Sequence, residues 1–348
     1  MNRFFLSLLV FVPLTFIAEF FGLSPVVLFI LSAVAIVPLA KYIGESTEEL
    51  TVYTGPALGG LLNATFGNAT EFIIGAFALH AGLIEVVKAS ITGSIIGNLL
   101  LVLGTAIMCG GYNRKEQKFN ATAAKAAGST LLLAVIALVI PAVFLQTSGA
   151  GSSHLVEELS VAVSVLMIIA YCASLLFSLR THKHLYEEEV AKVEAKWSKL
   201  KSLTILFVAT IAVAFMSEIL VGSIEPLVAR LGWTELFIGV VFVAIIGNAA
   251  EHVSAITVAI KNKMDLALQV SIGSATQIAM FVAPALVLVS LFFRNHMSLV
   301  FNTFELVAII FSVSIVNAIV EDGESNWFEG LQLLAAYIII AVGFYFHP

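Results

Sequence analysis

Two short and nearly identical segments hold the residues of this 348-residue chain that are best suited to bind an ion. Residues 67–71 read Gly-Asn-Ala-Thr-Glu, and residues 247–251 read Gly-Asn-Ala-Ala-Glu. Each segment lies inside a long apolar stretch, so Glu71 and Glu251 are expected at membrane depth. A charged residue there costs about 2.5–3.5 kcal/mol on insertion scales, which makes it a candidate for function. Two such residues at matched places in a repeated chain indicate an ion pathway between the repeats.

Amide and hydroxyl side chains accompany the two glutamates. Asn68 and Asn248 stand three residues before them, and this spacing places each asparagine on the same helical face as its glutamate. The next predicted helix of each half adds further candidates for lining the site, which are Ser94, Asn98, Ser274 and Gln277. Taken singly, such polar residues also join helices in membranes. Together with the carboxylates, they form an oxygen set that suits Ca²⁺, which takes 6–8 oxygens at about 2.3–2.6 Å. The predicted metal ligands are Glu71 and Glu251.

The composition indicates a membrane protein with many spans. The chain is 60% hydrophobic and 11% charged, whereas soluble domains carry about 25% charged residues. The net charge of -6 does not indicate a nucleic-acid partner, so the expected surroundings are the lipid bilayer, with a homo-oligomer left open. Apolar stretches of about 20 residues predict eleven transmembrane helices. They lie near 4–21, 25–43, 52–80, 86–109, 122–145, 155–179, 202–222, 234–260, 264–293, 299–320 and 326–346.

The eleven predicted helices divide as one plus five plus five. A first transmembrane helix in 1–22 precedes a five-helix repeat in 23–179, and a second five-helix repeat occupies 202–348. The charged segment 180–201 between them suits an amphipathic surface helix. A cytoplasmic N-terminus places most of the 17 lysines and arginines inside, as the positive-inside rule requires, and puts the C-terminus outside. Five spans per repeat give the repeats opposite orientations, which is the inverted-repeat plan of secondary transporters.

Three other ionisable residues near the motifs have two interpretations each. His252 follows Glu251 and could tune the site or relay protons, although a histidine that only packs fits equally well. Glu48 and Glu218 precede the two motifs at roughly matching places. They could bind the cation on its way to the site, and the alternative is that they are solvated charges at helix ends.

Two acidic groups lie farther from the motifs. Glu321 and Asp322, near the inner end of the tenth predicted helix, could form an acidic vestibule. The linker run of Glu187, Glu188 and Glu189 is typical of a solvated helix face, and a regulatory cation site is the second interpretation.

Buried glutamates provide a chemical basis for ion exchange. Burial favours the protonated carboxyl, whereas a nearby cation favours the carboxylate. A pair of buried glutamates can therefore hold protons or a divalent cation, but not comfortably both. Protons that load from one side displace the cation, and the cation that loads from the other side expels protons. Two central carboxylates suggest at least two protons for each divalent cation.

The repeated stretches resemble a known family. Residues 67–104 and 247–284 are similar to the two repeats of the calcium/proton antiporters, within the calcium/cation antiporter superfamily, and so is the segment Asp-Gly-Glu-Ser-Asn-Trp at 322–327. The resemblance covers nearly the whole chain. It implies an all-α polytopic protein of prokaryotic type, which exchanges Ca²⁺ for H⁺ across the cell membrane by alternating access.

The resemblance also implies roles for particular residues. Glu71 and Glu251 would be the central cation and proton carboxylates. The residues that line the site would be Asn68, Asn248, Ser94, Asn98, Ser274 and Gln277. The helices at 25–43 and 202–222 would act as sliding gates. The acidic run in the linker would correspond to the acidic segment that the family has between its halves.

Three alternatives remain open at this point. Sodium/calcium exchangers share the plan but carry Gly-Thr-Ser-x-Pro-Glu motifs; here Asn-Ala replaces Thr-Ser and no proline precedes either glutamate, which favours proton coupling. A cation channel would conduct without coupling, and the inverted pseudo-symmetry disfavours it. No HExxH or GxSxG signature indicates an intramembrane enzyme, so neither catalysis nor a cofactor is expected.

Overall fold

The computed structural model describes residues 3–148, 153–182 and 195–347, and most of these residues are helical. The helices are α1 (Arg3–Leu8), α2 (Phe11–Phe20), α3 (Pro25–Phe66), α4 (Ala69–His80), α5 (Ile84–Ile96), α6 (Leu103–Gly111), α7 (Ala121–Ser148), α8 (Ser153–Leu176), α9 (Lys199–Gly222), α10 (Ile224–Leu231), α11 (Glu235–Phe237), α12 (Ala244–Gly247), α13 (Ala249–Ile260), α14 (Met264–Gln277), α15 (Ala283–Ser290), α16 (Thr303–Ile319) and α17 (Trp327–Phe346). Two short strands are β1 (Gln117–Lys118) and β2 (Glu324–Ser325). Segments of π-helix occupy Gly97–Val102, Phe177–Thr181, Ile238–Val243 and Ile278–Val282.

The helices are those of a protein that crosses a membrane many times. In the described ranges, eight helices are long and apolar enough to span a bilayer. The pair Glu235–Gly247 and Ala249–Ile260, bent by 60°, makes a ninth if it counts as one span. Helices α4 and α16 are also apolar but shorter, with 12 and 17 residues. The all-helical membrane fold is confirmed, and the count of eleven spans stays a prediction.

Helix α3 corrects the predicted second and third spans. The sequence predicted one span at 25–43 and another that begins at 52, but α3 continues without a break for 42 residues. At 1.5 Å per residue it is about 63 Å long, about twice the thickness of the hydrocarbon core. The charged residues of its middle part did not end the helix, because ion pairs one turn apart stabilise helices. Lys41 Nζ lies 2.9 Å from Glu45 Oε1.

The linker between the halves is described at its two ends. Residues 183–194, with Glu187, Glu188 and Glu189, lie outside the described residues. The predicted surface helix does not extend to 201, because residues 195–198 are not helical and α9 begins at Lys199. Glu49 on α3 holds this end in place, since its Oε2 accepts hydrogen bonds from the backbone N–H groups of Lys196 at 2.8 Å and Trp197 at 3.1 Å.

Strands β1 and β2 connect the two halves as an antiparallel ribbon. Lys118 pairs with Glu324 in the antiparallel ribbon, and Lys118 Nζ lies 2.9 Å from Glu324 Oε1. This hydrogen bond raises the pKa of Lys118. Asn326 then begins α17 through a capping box with Glu329. The segment 322–327, which carried part of the family resemblance, therefore forms a turn, a strand and a helix cap.

Close helix packing differs between the two halves. Helix α5 crosses the π-helical segment Ile238–Val243 with backbone contact, because a Cβ built at Gly93 would lie 2.0 Å from the carbonyl oxygen of Val240. Only glycine fits at such a crossing. Gly273 occupies the same place in the second sequence repeat, and a Cβ built there would contact no atom of another described element within 4 Å. The two copies agree in sequence but differ in packing.

We expect Gly93→Ala to lower the unfolding temperature of the detergent-purified protein, because the new methyl group collides with Val240. Overpacking of this kind typically costs about 1–3 kcal/mol. Gly273→Ala is the matched control, and it should unfold at the wild-type temperature. Thermal unfolding followed by tryptophan fluorescence measures both. Equal destabilisation by the two substitutions would contradict the difference in packing.

Candidate ion-binding site

Both repeated motifs interrupt a helix. Asn68 separates α3 from α4, and Asn248 separates α12 from α13; both leave helical geometry, with φ/ψ of −107°/28° and −91°/10°. Glu71 and Glu251 therefore lie in the first turns of α4 and α13. Backbone N–H groups at a helix start favour negative charge.

A continuous set of hydrogen bonds joins the two halves at these breaks. Asn248 Nδ2 donates to Ser94 Oγ at 2.8 Å, and Ser274 Oγ donates to Asn68 Oδ1 at 3.2 Å. Each motif asparagine is thus bonded to a serine of the other half. Asn98 connects the two pairs, because its Nδ2 donates to Asn248 Oδ1 at 2.7 Å and to Ser274 Oγ at 3.1 Å.

Gln277 completes this polar network, since its Oε1 accepts a hydrogen bond from Asn68 Nδ2. The structure therefore brings together all six residues that the sequence proposed as lining. Asn98 is fully buried, and its side-chain NH₂ group donates both of these hydrogen bonds. Its Oδ1 is also buried, and no described residue donates a hydrogen bond to it.

Glu71 is buried beside the second break. Its side chain is packed against Gly247, where an added Cβ would lie 3.0 Å from Glu71 Cγ and 3.4 Å from Glu71 Oε1. The glycine of one motif thus makes room for the carboxylate of the other. Within the described part of the chain, neither carboxylate oxygen of Glu71 receives a hydrogen bond. An ionised carboxylate buried in this way costs several kcal/mol, so it must hold a proton or pair with a cation.

Glu251 has a different environment, because a cavity of about 500 Å³ reaches it. We call this the main cavity. Its polar walls are Lys41, Glu45, Glu48, Asn63, Thr70, Glu251, Ser254, Thr257, Gln269, Ser274 and Gln277. It extends toward the turn between α13 and α14, and the sequence predicts that the lysines of this turn are cytoplasmic. Glu251 is thus accessible from that face, whereas Glu71 is not part of the cavity wall.

The acids proposed to guide the cation separate into two groups. Glu48 lines the main cavity together with Glu45, which the sequence reasoning had not selected. The spacing of four between Lys41 and Glu45 was the available signal. Glu218 is exposed on α9 and does not line that cavity. His252 is half-buried and does not line it either.

Glu321 and Asp322 lie exposed in the turn before β2. Asp322 Oδ1 accepts a hydrogen bond of 3.0 Å from the backbone N–H of Glu324, which shapes this turn. Neither residue is part of the main cavity wall.

None of the four π-helical segments was predicted from the sequence, and two of them follow the helices that carry Ser94 and Ser274. Gly97–Val102 directly follows α5, and Ile278–Val282 directly follows α14, so they occupy matching places in the two halves. Short π-helical turns occur frequently at functional sites, where the extra residue reorients a side chain. Here Asn98 lies in the first of them. The apolar sequence of these segments carries no recognisable signal for π-helix.

Comparison with known proteins identifies the family. The sequence model of the sodium/calcium exchanger protein family matches residues 24–180 and residues 201–346. The chain belongs to this family. It is 49% identical over 365 residues to a Ca²⁺/H⁺ antiporter of Synechocystis sp., an alignment that covers 100% of this chain and 98% of the relative. It is also 49% identical to the Ca²⁺/H⁺ antiporter ChaA of Bacillus subtilis, with 99% of each chain covered. The resemblance to calcium/proton antiporters is confirmed.

A solved structure has the same fold. The structure of native YfkE superposes with a TM-score of 0.87 at 45% sequence identity, and the match covers 99% of this chain and 100% of that chain.

We expect a cysteine at Thr257 to react several times faster with a membrane-impermeant maleimide than a cysteine at Phe77, the position at the same offset in the first half. Thr257 lines the main cavity and Phe77 does not. Thr257→Cys and Phe77→Cys would be made with the native cysteines, Cys109 and Cys172, replaced by serine. Labelling in reconstituted vesicles measures the rates, and similar rates at both positions would contradict a cavity open to one face.

Proposed function

We propose that this protein is a secondary transporter that exchanges Ca²⁺ for H⁺ across the cell membrane by alternating access. The observation that carries the proposal is the buried carboxylate of Glu71, whose two oxygens receive no hydrogen bond from any described residue. The close antiporter relatives support the choice of ions. Neither catalysis nor a resident cofactor is part of the proposal.

Glu71 and Glu251 would bind the cation and the protons in competition. Both carboxylates belong to one polar region, and their negative charges repel each other when both are ionised. Ca²⁺ between them would remove this repulsion and use the neutral oxygens of the network as additional ligands. Protonation of both groups would remove it as well. The two states exclude each other, which couples cation release to proton uptake, with at least two protons per Ca²⁺.

The division into inverted repeats is the structural basis of alternating access. Two matches of one family model, to 24–180 and 201–346, support the proposed repeats at 23–179 and 202–348. The opposite orientation of the repeats places the two glutamates on antiparallel helices. Helices α3 and α9 pack along each other and contain the two proposed gates. Sliding of this pair would open the site to one face at a time.

The described state is open on the face of the α13–α14 turn. The main cavity reaches Glu251 from there, and the tight crossing at Gly93 lies in the other half of the site. With a cytoplasmic N-terminus, this state faces inward. Glu48 fits the role of an acid that attracts the cation, because it lines this cavity. Glu218 and residues 321–322 do not line the main cavity, so the cavity does not support an entry role for Glu218 or a vestibule at 321–322.

Sodium/calcium exchange is the second candidate function, because the matched family carries that name. The neutral asparagine-alanine pair in each motif still favours protons as the counter-ion. Transport with sodium present and absent separates the two candidates.

We expect Glu71→Gln and Glu251→Gln each to abolish pH-gradient-driven Ca²⁺ uptake into proteoliposomes without sodium, since glutamine cannot exchange a proton for a cation. Both variants should purify as folded protein, because glutamine has nearly the same volume. Glu158→Gln, at an exposed acid outside the site, is the matched control and should transport normally. Undiminished exchange in either site variant would remove that glutamate from the mechanism.

We further expect Gly273→Ala to slow Ca²⁺/H⁺ exchange by about tenfold or more, although it leaves the described state stable. If the halves exchange roles, Gly273 must form in the opposite state the tight crossing that Gly93 forms here. Ser129→Ala, at an exposed position of α7 outside the gates and the ion site, is the control and should leave the rate unchanged. Wild-type exchange in Gly273→Ala would contradict a symmetric switch.

A further inference from the structure

A second cavity of about 320 Å³ lies between α7, α8 and α14, and we call it the side cavity. Its polar walls include Asn120, Thr130, Tyr171, Ser174, Asp265 and Thr276. Asn120 and Asp265 stand at the helix ends near the same face to which the main cavity opens. Thr276 lies at the depth of the ion site, one residue before Gln277. The side cavity thus extends from that face to the site along a different set of helices.

The two cavities share part of their walls, and this shared part reaches the ion site. Asn63, Gln269 and Gln277 belong to the walls of both. Gln277 is also the end of the polar network, through its hydrogen bond with Asn68. An ion or water molecule in either cavity can therefore reach the same group of side chains.

Tyr171 supplies an independent observation. Its side chain is 4% exposed and stacks on Phe281 with ring centroids 5.6 Å apart, which fixes the ring at the wall of the side cavity. Among the described residues, none forms a hydrogen bond with its hydroxyl group. A buried hydroxyl without a partner costs about 1–3 kcal/mol. Water in the side cavity would satisfy it, because Thr130 and Ser174 also line the wall and buried water binds where several polar groups converge.

The two cavities differ in charge. The main cavity carries Glu45, Glu48 and Glu251, whereas the titratable residues on the side cavity wall are Asp265 and Tyr171. Asp265 Oδ1 is already used, because it accepts a hydrogen bond of 2.7 Å from the backbone N–H of Asn120. Ca²⁺ is attracted by clustered carboxylates, of which the main cavity wall has three and the side cavity wall has one. Its hydroxyl and amide groups are suited to water.

We propose that the side cavity is a separate water-filled route for protons between the face near Asp265 and the ion site, while the main cavity carries the cation. This inference rests on the proposed Ca²⁺/H⁺ exchange. A proton would leave a glutamate carboxyl, pass along the water molecules beside Gln277 and Tyr171, and enter bulk water as hydronium. Separate routes allow protons to leave while a divalent cation of the same charge sign enters.

The test compares two fluxes in proteoliposomes. Ca²⁺/H⁺ exchange, followed with a pH dye, requires proton movement, whereas Ca²⁺/Ca²⁺ self-exchange, followed with isotopic calcium, does not. Thr130→Leu fills the side cavity with a bulky apolar side chain. Ser129→Leu is the matched control, because the neighbouring Ser129 is exposed on α7. The hydroxyl groups of Ser129 and Thr130 both donate a hydrogen bond to the carbonyl oxygen of Ala126, so both substitutions remove the same bond. Tyr171→Phe removes only a hydroxyl to which no described residue is hydrogen-bonded, and it should not disturb folding.

We expect Thr130→Leu and Tyr171→Phe each to slow Ca²⁺/H⁺ exchange by about five- to tenfold. This factor corresponds to the free energy of about one hydrogen bond lost along the route. Calcium self-exchange should stay at the wild-type rate, and Ser129→Leu should affect neither flux. Unchanged Ca²⁺/H⁺ exchange in both variants would overturn the proton route. Parallel loss of both fluxes would also overturn it, because the side cavity would then serve the cation. Absence of proton coupling in the wild-type protein would instead refute the proposed function itself.

Discussion

The burial of two carboxylates in an apolar helical protein is the constraint on which the rest of the structure depends. Glu71 is packed against the backbone at Gly247, and its oxygens receive no hydrogen bond from the described residues. Such a group is stable only with a proton or a cation. The helix breaks at Asn68 and Asn248, the amide and serine network, and the cavity to Glu251 all serve to hold these two groups and to give ions access to them.

The two halves use the same residues in different arrangements. Asn68 and Asn248 each form a hydrogen bond with a serine of the opposite half, so the network is nearly symmetric. The surrounding packing is not, because Gly93 is in backbone contact with Val240 while Gly273 faces open space. A duplicated sequence with asymmetric packing is what one state of an alternating-access transporter requires. Exchange of the two packing arrangements would move the opening from one face to the other.

Much of the site was predictable because it depends on local spacing. The repeated motif identified both glutamates and both asparagines, and the next predicted helix of each half supplied Ser94 and Ser274. The continuous helix α3 was not predictable from its charged middle part, since ion pairs there support the helix rather than end it. The π-helical turn at Asn98 and the two cavities depend on tertiary packing and on the conformational state, which hydropathy does not encode.

The proposed exchange requires that Glu71 and Glu251 hold either protons or Ca²⁺. The most direct measurement is the number of protons released when Ca²⁺ is added to the detergent-purified protein in weak buffer near neutral pH, followed with a pH dye. We expect proton release that saturates with Ca²⁺ binding and disappears in the variant with Glu71→Gln and Glu251→Gln together. Ca²⁺ binding to the wild-type protein without proton release, at any pH between about 6 and 8, would contradict it.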